Sequence, residues 1–235
     1  MLQPAESDWQ PGPATLSLSA DSEIHIWRAC AHDLPCDRDW HSRWGRSPAN
    51  APEPVLRARI SARRLVDAVL PRYLGGSADS LKISRDSNGR PYVAGTRLDF
   101  NLSHSGDWAL LAVASGTRVG VDVEQVRNDR DFRAIARRYF SDSEARMIYG
   151  LSDAAVALAR FYRLWTAKEA ALKALGTGIA NGLAETTLTG ENFVRLPDGT
   201  TMRFRAFEVS PDYPAALVTQ SIQEFHLRFF HLAHR

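Results

Sequence analysis

Lysine is the scarcest charge in this chain. Only Lys82, Lys168 and Lys173 occur in 235 residues, and arginine carries the rest of the positive charge. With a net charge of +2 and a pI near 8.7, there is no broad basic surface of the kind that binds nucleic acid non-specifically. Cysteine is nearly absent too. Cys30 and Cys36 are too few for a disulfide framework, and no CxxC or HxxxH spacing accompanies them to hold zinc. The longest apolar run, residues 109–114, is far too short for a transmembrane helix. Residues 1–19 have neither a basic start nor an apolar centre, so no secretory signal is expected, and a reducing cytoplasmic location fits. A P-loop, a dinucleotide-binding glycine fingerprint and a G-x-S-x-G elbow are all missing, which removes three common enzyme classes.

What remains is an ordinary globular composition, 44% hydrophobic and 24% charged. Residues 1–20, with Pro4, Pro11 and Pro13, read as a loose arm. Alternation over 23–28 predicts a first strand, and residues 32–52 read as loop. Leu56, Ile60, Val66, Val69, Leu70 and Tyr73 recur at helical spacing over 53–74, before Gly75 and Gly76. Short strands are expected at 81–85, 91–93, 98–103, 108–114 and 119–126. Ser141 with Glu144 three residues on is a capping box. A long helix opens at Ser152 or Asp153 and runs to Leu175, and strands follow at 187–189, 202–209, 215–219 and 225–230. Each half thus holds a strand, a long helix and further strands. The pattern predicts an α+β protein of two subdomains, 21–117 and 118–235.

Three segments carry candidate chemistry. Asp122 and Glu124 lie two apart on a strand and so share a face. Such a pair is common on solvent-facing strands, but inside a packed protein it needs a cation, and oxygen ligands suit Mg²⁺. Glu169 and Lys173 lie four apart on the long helix. On a surface they would form a salt bridge contributing only about 0.2–0.5 kcal/mol. The helix around them is apolar nearly all round, which is the pattern of a buried helix. Glu169 on a metal and Lys173 on a phosphate would satisfy both charges. Lys168 points elsewhere on the wheel, towards solvent. The third segment, Ser103-His104-Ser105-Gly106, has the hydroxyls, imidazole and loop amides to wrap an anion.

Taken together these segments resemble the Sfp-type 4′-phosphopantetheinyl transferases. That family carries a (V/I)G(V/I)D(V/I)E strand and a W-x-x-K-E-(A/S)-x-x-K helix, matched by 119–124 and 165–173. An F-N-(I/L)-S-H-S-G loop is matched by 100–106, and a G-(K/R)-P turn by 89–91. The resemblance covers residues 60–180. It implies two similar subdomains about a pseudo-two-fold, each a long helix on a small antiparallel sheet, in a monomer with coenzyme A between them. It implies transfer of the phosphopantetheine arm of coenzyme A to a serine of an apo acyl- or peptidyl-carrier protein, releasing 3′,5′-ADP. Such carriers serve fatty-acid, polyketide and non-ribosomal-peptide synthesis. Residue by residue, Asp122, Glu124 and Glu169 look like the Mg²⁺ ligands, with Glu169 also the base and Asp122 and Lys173 catalytic. Arg63, Arg85, Arg90, Ser103, His104 and Lys173 look like coenzyme A contacts. Glu144 resembles a further acidic residue near the site, in competition with its capping role. Some members have lysines before the position of Arg63; here Arg57 or Arg59 could stand in.

Overall fold

The computed structural model describes residues 8–18, 22–30, 53–176 and 182–232, with backbone alone over 53–58. The loop expected at 32–52, Cys36 and the Arg57 side chain lie outside the described residues. These contain four α-helices and two five-stranded sheets, an α+β fold. The helices are α1 (Glu53–Leu74), α2 (Phe132–Tyr139), α3 (Asp142–Tyr149) and α4 (Ala154–Leu175).

The first sheet has the order β1-β12-β2-β6-β5, from β1 (Trp9–Pro11), β2 (Glu23–Cys30), β5 (Leu98–Ser105), β6 (Trp108–Ser115) and β12 (His226–His231). The second runs β7-β11-β10-β9-β8, from β7 (Val119–Val123), β8 (Thr187–Thr189), β9 (Phe193–Arg195), β10 (Thr201–Glu208) and β11 (Pro214–Thr219). A hairpin of β3 (Ile83–Arg85) and β4 (Pro91–Val93) stands apart from both sheets. Among the described residues no helix is long and apolar enough to cross a membrane.

Period-two alternation builds the layers. One face of the first sheet, including Trp27, Leu111 and Val113, packs on Leu65, Val66, Val69 and Leu70 of α1. Its other face, including Ile24, Ile26, Leu110 and Ala112, meets Val119, Val121, Val123, Phe207 and Leu217 of the second sheet. The far face of the second sheet, including Phe204 and Val218, packs on Ala167, Ala170, Ala171 and Ala174 of α4. The order of layers is therefore helix, sheet, sheet, helix. The residues that face α4 from β7 are the complementary set: Gly120, Asp122 and, just past the strand end, Glu124.

Two expectations change. The arm is not wholly loose: Trp9–Pro11 pairs in parallel with β12, and Trp9 is buried. Arg72 holds the next turn by donating to the carbonyls of Gly12 and Pro13, each at 2.9 Å. Nor is the first sheet purely antiparallel or built only from the first half. β12 crosses back from the C-terminal stretch and pairs in parallel with β2. Apolar Phe230, packed against Trp27, gives β12 a reason to end there.

The helix ends follow the sequence. Asp153 accepts from the amides of Ala155 and Val156 at the start of α4, and left-handed Gly176 ends it at φ 85°. Between those ends α4 lies unusually close to β7. A Cβ on Gly120 would stand 1.9 Å from the carbonyl oxygen of Ala170 and 2.6 Å from the nitrogen of Ala174, both main chain. Gly120→Ala must therefore push α4 away from β7. Overpacking of this kind costs about 1–3 kcal/mol or more, and a fall in melting temperature of the Gly120→Ala variant is the expected result in thermal melts.

Candidate active site

β7 carries Asp122 and Glu124 on its α4 side, and α4 carries Glu169 and Lys173 one turn apart. Close approach at Gly120 brings the two sets together. Carboxylate oxygens of Asp122, Glu124 and Glu169 all lie within 4.8 Å of one another. Asp122 and Glu169 are buried and Glu124 is half-buried. This is not a surface pair beside a surface salt bridge. The Lys173 ammonium donates to Asp122 Oδ1 at 2.6 Å, to Ser103 Oγ at 2.9 Å and to the Val121 carbonyl at 3.3 Å. Its partner lies across on β7 rather than one turn back on its own helix.

Ser103 and Ser105, which lie on β5 rather than in the loop expected from sequence, orient the β7 carboxylates. Ser103 Oγ donates to Asp122 Oδ1 at 2.8 Å, and Ser105 Oγ donates to Glu124 Oε2 at 2.9 Å. The Trp165 side chain lies near enough to Glu124 to favour its charged form. Asp122 Oδ2, by contrast, is buried with no hydrogen-bond partner among the described residues. An orphaned buried carboxylate oxygen is costly unless a cation meets it. Burial, then repulsion from Asp122, pushes Glu124 up to about 7 and Glu169 up to about 8. Burial raises Asp122 as well, against the pull of Lys173. Three carboxylates face a single ammonium, and the oxygen-only donor set suits a hard divalent cation.

Beside the carboxylates lies a pocket of about 260 Å³ lined by Arg59, Arg63, Arg85, Asn101, His104 and Lys173. Burial, with Arg85 and Arg59 close by, lowers the pKa of Arg63. Burial and then Lys173 press His104 down to about 4, so at neutral pH it offers a neutral imidazole. Four cations and a neutral imidazole lining one pocket suit an anion. Lys173 lines this pocket and touches Asp122, so it joins the two chemistries.

Of the residues singled out from sequence, Arg63, Arg85, His104 and Lys173 line the basic pocket, while Asp122, Glu124 and Glu169 form the carboxylate cluster. Ser103 sits between them. Arg90 is elsewhere. It is 7% exposed, and its guanidinium donates to Asp99, to the carbonyls of Phe100 and Val119, and to the carbonyl of Lys173. Glu144 also stands outside the cluster. It completes the capping box with Ser141 and accepts from the Lys168 ammonium at 2.5 Å. Lys168 is therefore not solvent-facing: it is fully buried, donates also to the Leu183 carbonyl at 2.9 Å and lies over the Phe140 ring. The expectation failed because the wheel placed it away from Glu169 but could not show that α3 and the 182–188 segment cover that side.

Sequence reading also missed Asp99, and it gave Asn101 and Ser105 no role on β7. They are the polar face of β5, alternating with Phe100 and Leu102, and a period-two run of polar residues in a buried strand was the available signal.

Two outcomes follow from this electrostatic arrangement. Carboxylates whose folded pKa lies above the unfolded value stabilise the fold when protonated and lose that contribution as pH rises through the folded value. Metal-free protein should thus melt at progressively lower temperature as pH rises from about 4.5 to about 8, and Mg²⁺ should flatten or reverse that slope. Identical slopes with and without Mg²⁺ would contradict a cation at this cluster. For the second pair, Lys168→Met leaves the Glu144 carboxylate buried and unpaired, at a cost of about 3–5 kcal/mol, whereas Lys168→Met with Glu144→Gln should regain much of it. Denaturant melts of the two single variants and the double read this directly.

The likenesses of the chain agree with this geometry. The sequence pattern of the 4′-phosphopantetheinyl transferase superfamily matches residues 118–222, and that of the 4′-phosphopantetheinyl transferase N-terminal region matches 55–116. The 4′-phosphopantetheinyl transferase HetI of Nostoc sp. is 32% identical over 187 residues, covering 73% of this chain and 76% of its own. The 4′-phosphopantetheinyl transferase psf-1 of Bacillus pumilus is 35% identical over 177 residues, covering 70% and 74%. The L-aminoadipate-semialdehyde dehydrogenase-phosphopantetheinyl transferase of Mus musculus is 30% identical over 134 residues, covering 52% and 43%. With both halves matched in order and the acidic strand and helix intact, the chain belongs to the 4′-phosphopantetheinyl transferase superfamily.

Proposed function

We propose that this transferase works through a Mg²⁺ site made by Asp122, Glu124 and Glu169, with coenzyme A lying between the two halves of the fold, which are related by a pseudo-two-fold. The observation that carries the reading is the double membership of Lys173, which donates to Asp122 and also lines the arginine-rich pocket. Arg63, Arg85 and His104 then hold the nucleotide and its phosphates. The diphosphate extends from them to Lys173 and the carboxylates. Ser103, already bonded to both Asp122 and Lys173, sets the spacing between acid and base. Bound to the three carboxylates, Mg²⁺ supplies Lewis-acid neutralisation of the diphosphate.

The acceptor is the hydroxyl of a carrier-protein serine. Its oxygen attacks the phosphorus that bears the pantetheine arm, the bond from that phosphorus to the adenosine-side phosphate oxygen breaks, and 3′,5′-ADP departs. Glu169 takes the serine proton. Burial and neighbouring carboxylates raise its proton affinity, the property a general base needs near neutral pH. The Lys173 ammonium stabilises charge on the leaving diphosphate oxygen. Little covalent work falls to the protein, so positioning and electrostatics account for the rate.

The test is transfer itself. Incubated with coenzyme A, Mg²⁺ and an apo carrier protein, the wild-type chain should add one phosphopantetheine arm to the carrier, read by mass spectrometry. Asp122→Asn and Glu169→Gln should lower the rate at least about 100-fold while melting no lower than wild type. A folded Glu169→Gln variant that transfers at a near-normal rate would remove Glu169 from the chemistry.

A further inference from the structure

We propose that Arg90 is a positioning residue for Lys173, acting through the main-chain carbonyl of Lys173 and the edge of β7, and that it makes no contact with the coenzyme A phosphates. The proposal rests on the role given to Lys173 above.

Arg90 follows a tight turn in which Asp86 Oδ1 accepts its amide at 3.0 Å, and the amide of Asp86 donates to the Arg90 carbonyl at 3.0 Å. The turn sends the side chain inward. One guanidinium nitrogen donates to the carbonyl of Lys173. The other donates to Asp99 Oδ2 at 2.6 Å, to the Val119 carbonyl at 2.7 Å and to the Phe100 carbonyl at 3.2 Å. Asp99 in turn accepts the Val119 amide at 2.8 Å. Both terminal nitrogens of the guanidinium are thus engaged within the protein beside the Asp99 carboxylate, and the side chain is 5% exposed.

The carbonyl it holds is one of the last four of α4, which have no partner within the helix. A cation there is also favoured by the helix dipole. Gly176 takes the Leu172 carbonyl, and Arg118 reaches that of Leu175 at 3.4 Å. Lys173 is consequently gripped at both ends: its carbonyl by Arg90 and its ammonium by Asp122, Ser103 and the Val121 carbonyl. A phosphate ligand must keep donors free for the phosphate. Arg90 does not line the basic pocket, whose cationic lining is Arg59, Arg63, Arg85 and Lys173, and both its terminal nitrogens are engaged within the protein. Lysine could supply the charge at position 90, but its single ammonium cannot span Asp99, Val119 and Lys173 at once.

The two roles separate in a KM-against-kcat comparison. Arg90→Lys should lower kcat at least tenfold, with less than a threefold change in the dissociation constant of 3′,5′-ADP measured by titration calorimetry. Binding of 3′,5′-ADP weakened tenfold or more with kcat intact would overturn the proposal. Asp99→Asn supplies an independent arm should Arg90→Lys fold poorly. Loosening Arg90 from its counter-charge should again lower kcat and leave 3′,5′-ADP affinity unchanged. Tighter 3′,5′-ADP binding in Asp99→Asn would mean that the released arginine reaches the phosphates, and would also overturn it. Lys173→Ala tests the underlying assignment separately: near-normal turnover there would remove Lys173 from the chemistry, whatever the Arg90 variants do.

Discussion

The structure depends on how one strand edge is satisfied. β7 pairs with β11 on one side, and its other side faces β5 of the first sheet without forming a ladder with it. An unpaired edge inside a protein is normally intolerable. Here side chains take the place of a strand. Asp99, Asn101, Ser103 and Ser105 accept the amides of Val119, Val121, Val123 and Gln125, each twenty residues further on. Arg90 and Lys173 donate to the carbonyls of Val119 and Val121. The hydroxyls that accept these amides are the ones that donate to Asp122 and Glu124. The junction of the two sheets and the orientation of the carboxylates are therefore one hydrogen-bond network.

That network also sorts charge. Arg90 is matched by Asp99, and Lys168 by Glu144, so the two most deeply buried cations near α4 are locally neutral. The other charges are segregated: carboxylate gathers where Asp122, Glu124 and Glu169 converge, and cation along Arg59, Arg63 and Arg85. A low-dielectric setting strengthens both fields. A ligand that is anionic and brings a divalent cation satisfies both regions at once, which neither a simple anion nor a bare metal does alone.

Much of this was legible in the chain. Spacing of two on β7 and of four on α4 placed Asp122 with Glu124 and Glu169 with Lys173, and the apolar flanks showed that α4 is buried. Caps at Asp153, Ser141 and Gly176 were equally readable because they are local. What spacing could not give was partnership across elements. Lys168 and Glu169 are neighbours in sequence, yet one pairs with α3 and the other faces β7. Arg90 follows a motif turn, but whether an arginine reaches a ligand or a helix end depends on where that helix stops in space. The return of β12 to the first sheet was hidden for the same reason, since an alternating strand does not name its neighbour.

Steric size completes the argument. Carboxylates on a strand and on a helix meet a common cation only if the two backbones come unusually close, and bulky side chains between them forbid it. α4 presents Ala167, Ala170, Ala171 and Ala174 to the second sheet, and β7 presents Gly120 opposite the carbonyl of Ala170. The glycine is there because a helix backbone occupies the place of its side chain, not for any unusual dihedral. The approach it permits costs β7 and α4 the hydrophobic contact that larger residues would give. The side-chain ladder from β5 and the Arg90 hold on the end of α4 offset that loss. The meeting of Glu169 and Lys173 with Asp122 and Glu124 thus depends on a backbone-to-backbone contact one turn away, maintained by the side chains of β5 and by Arg90.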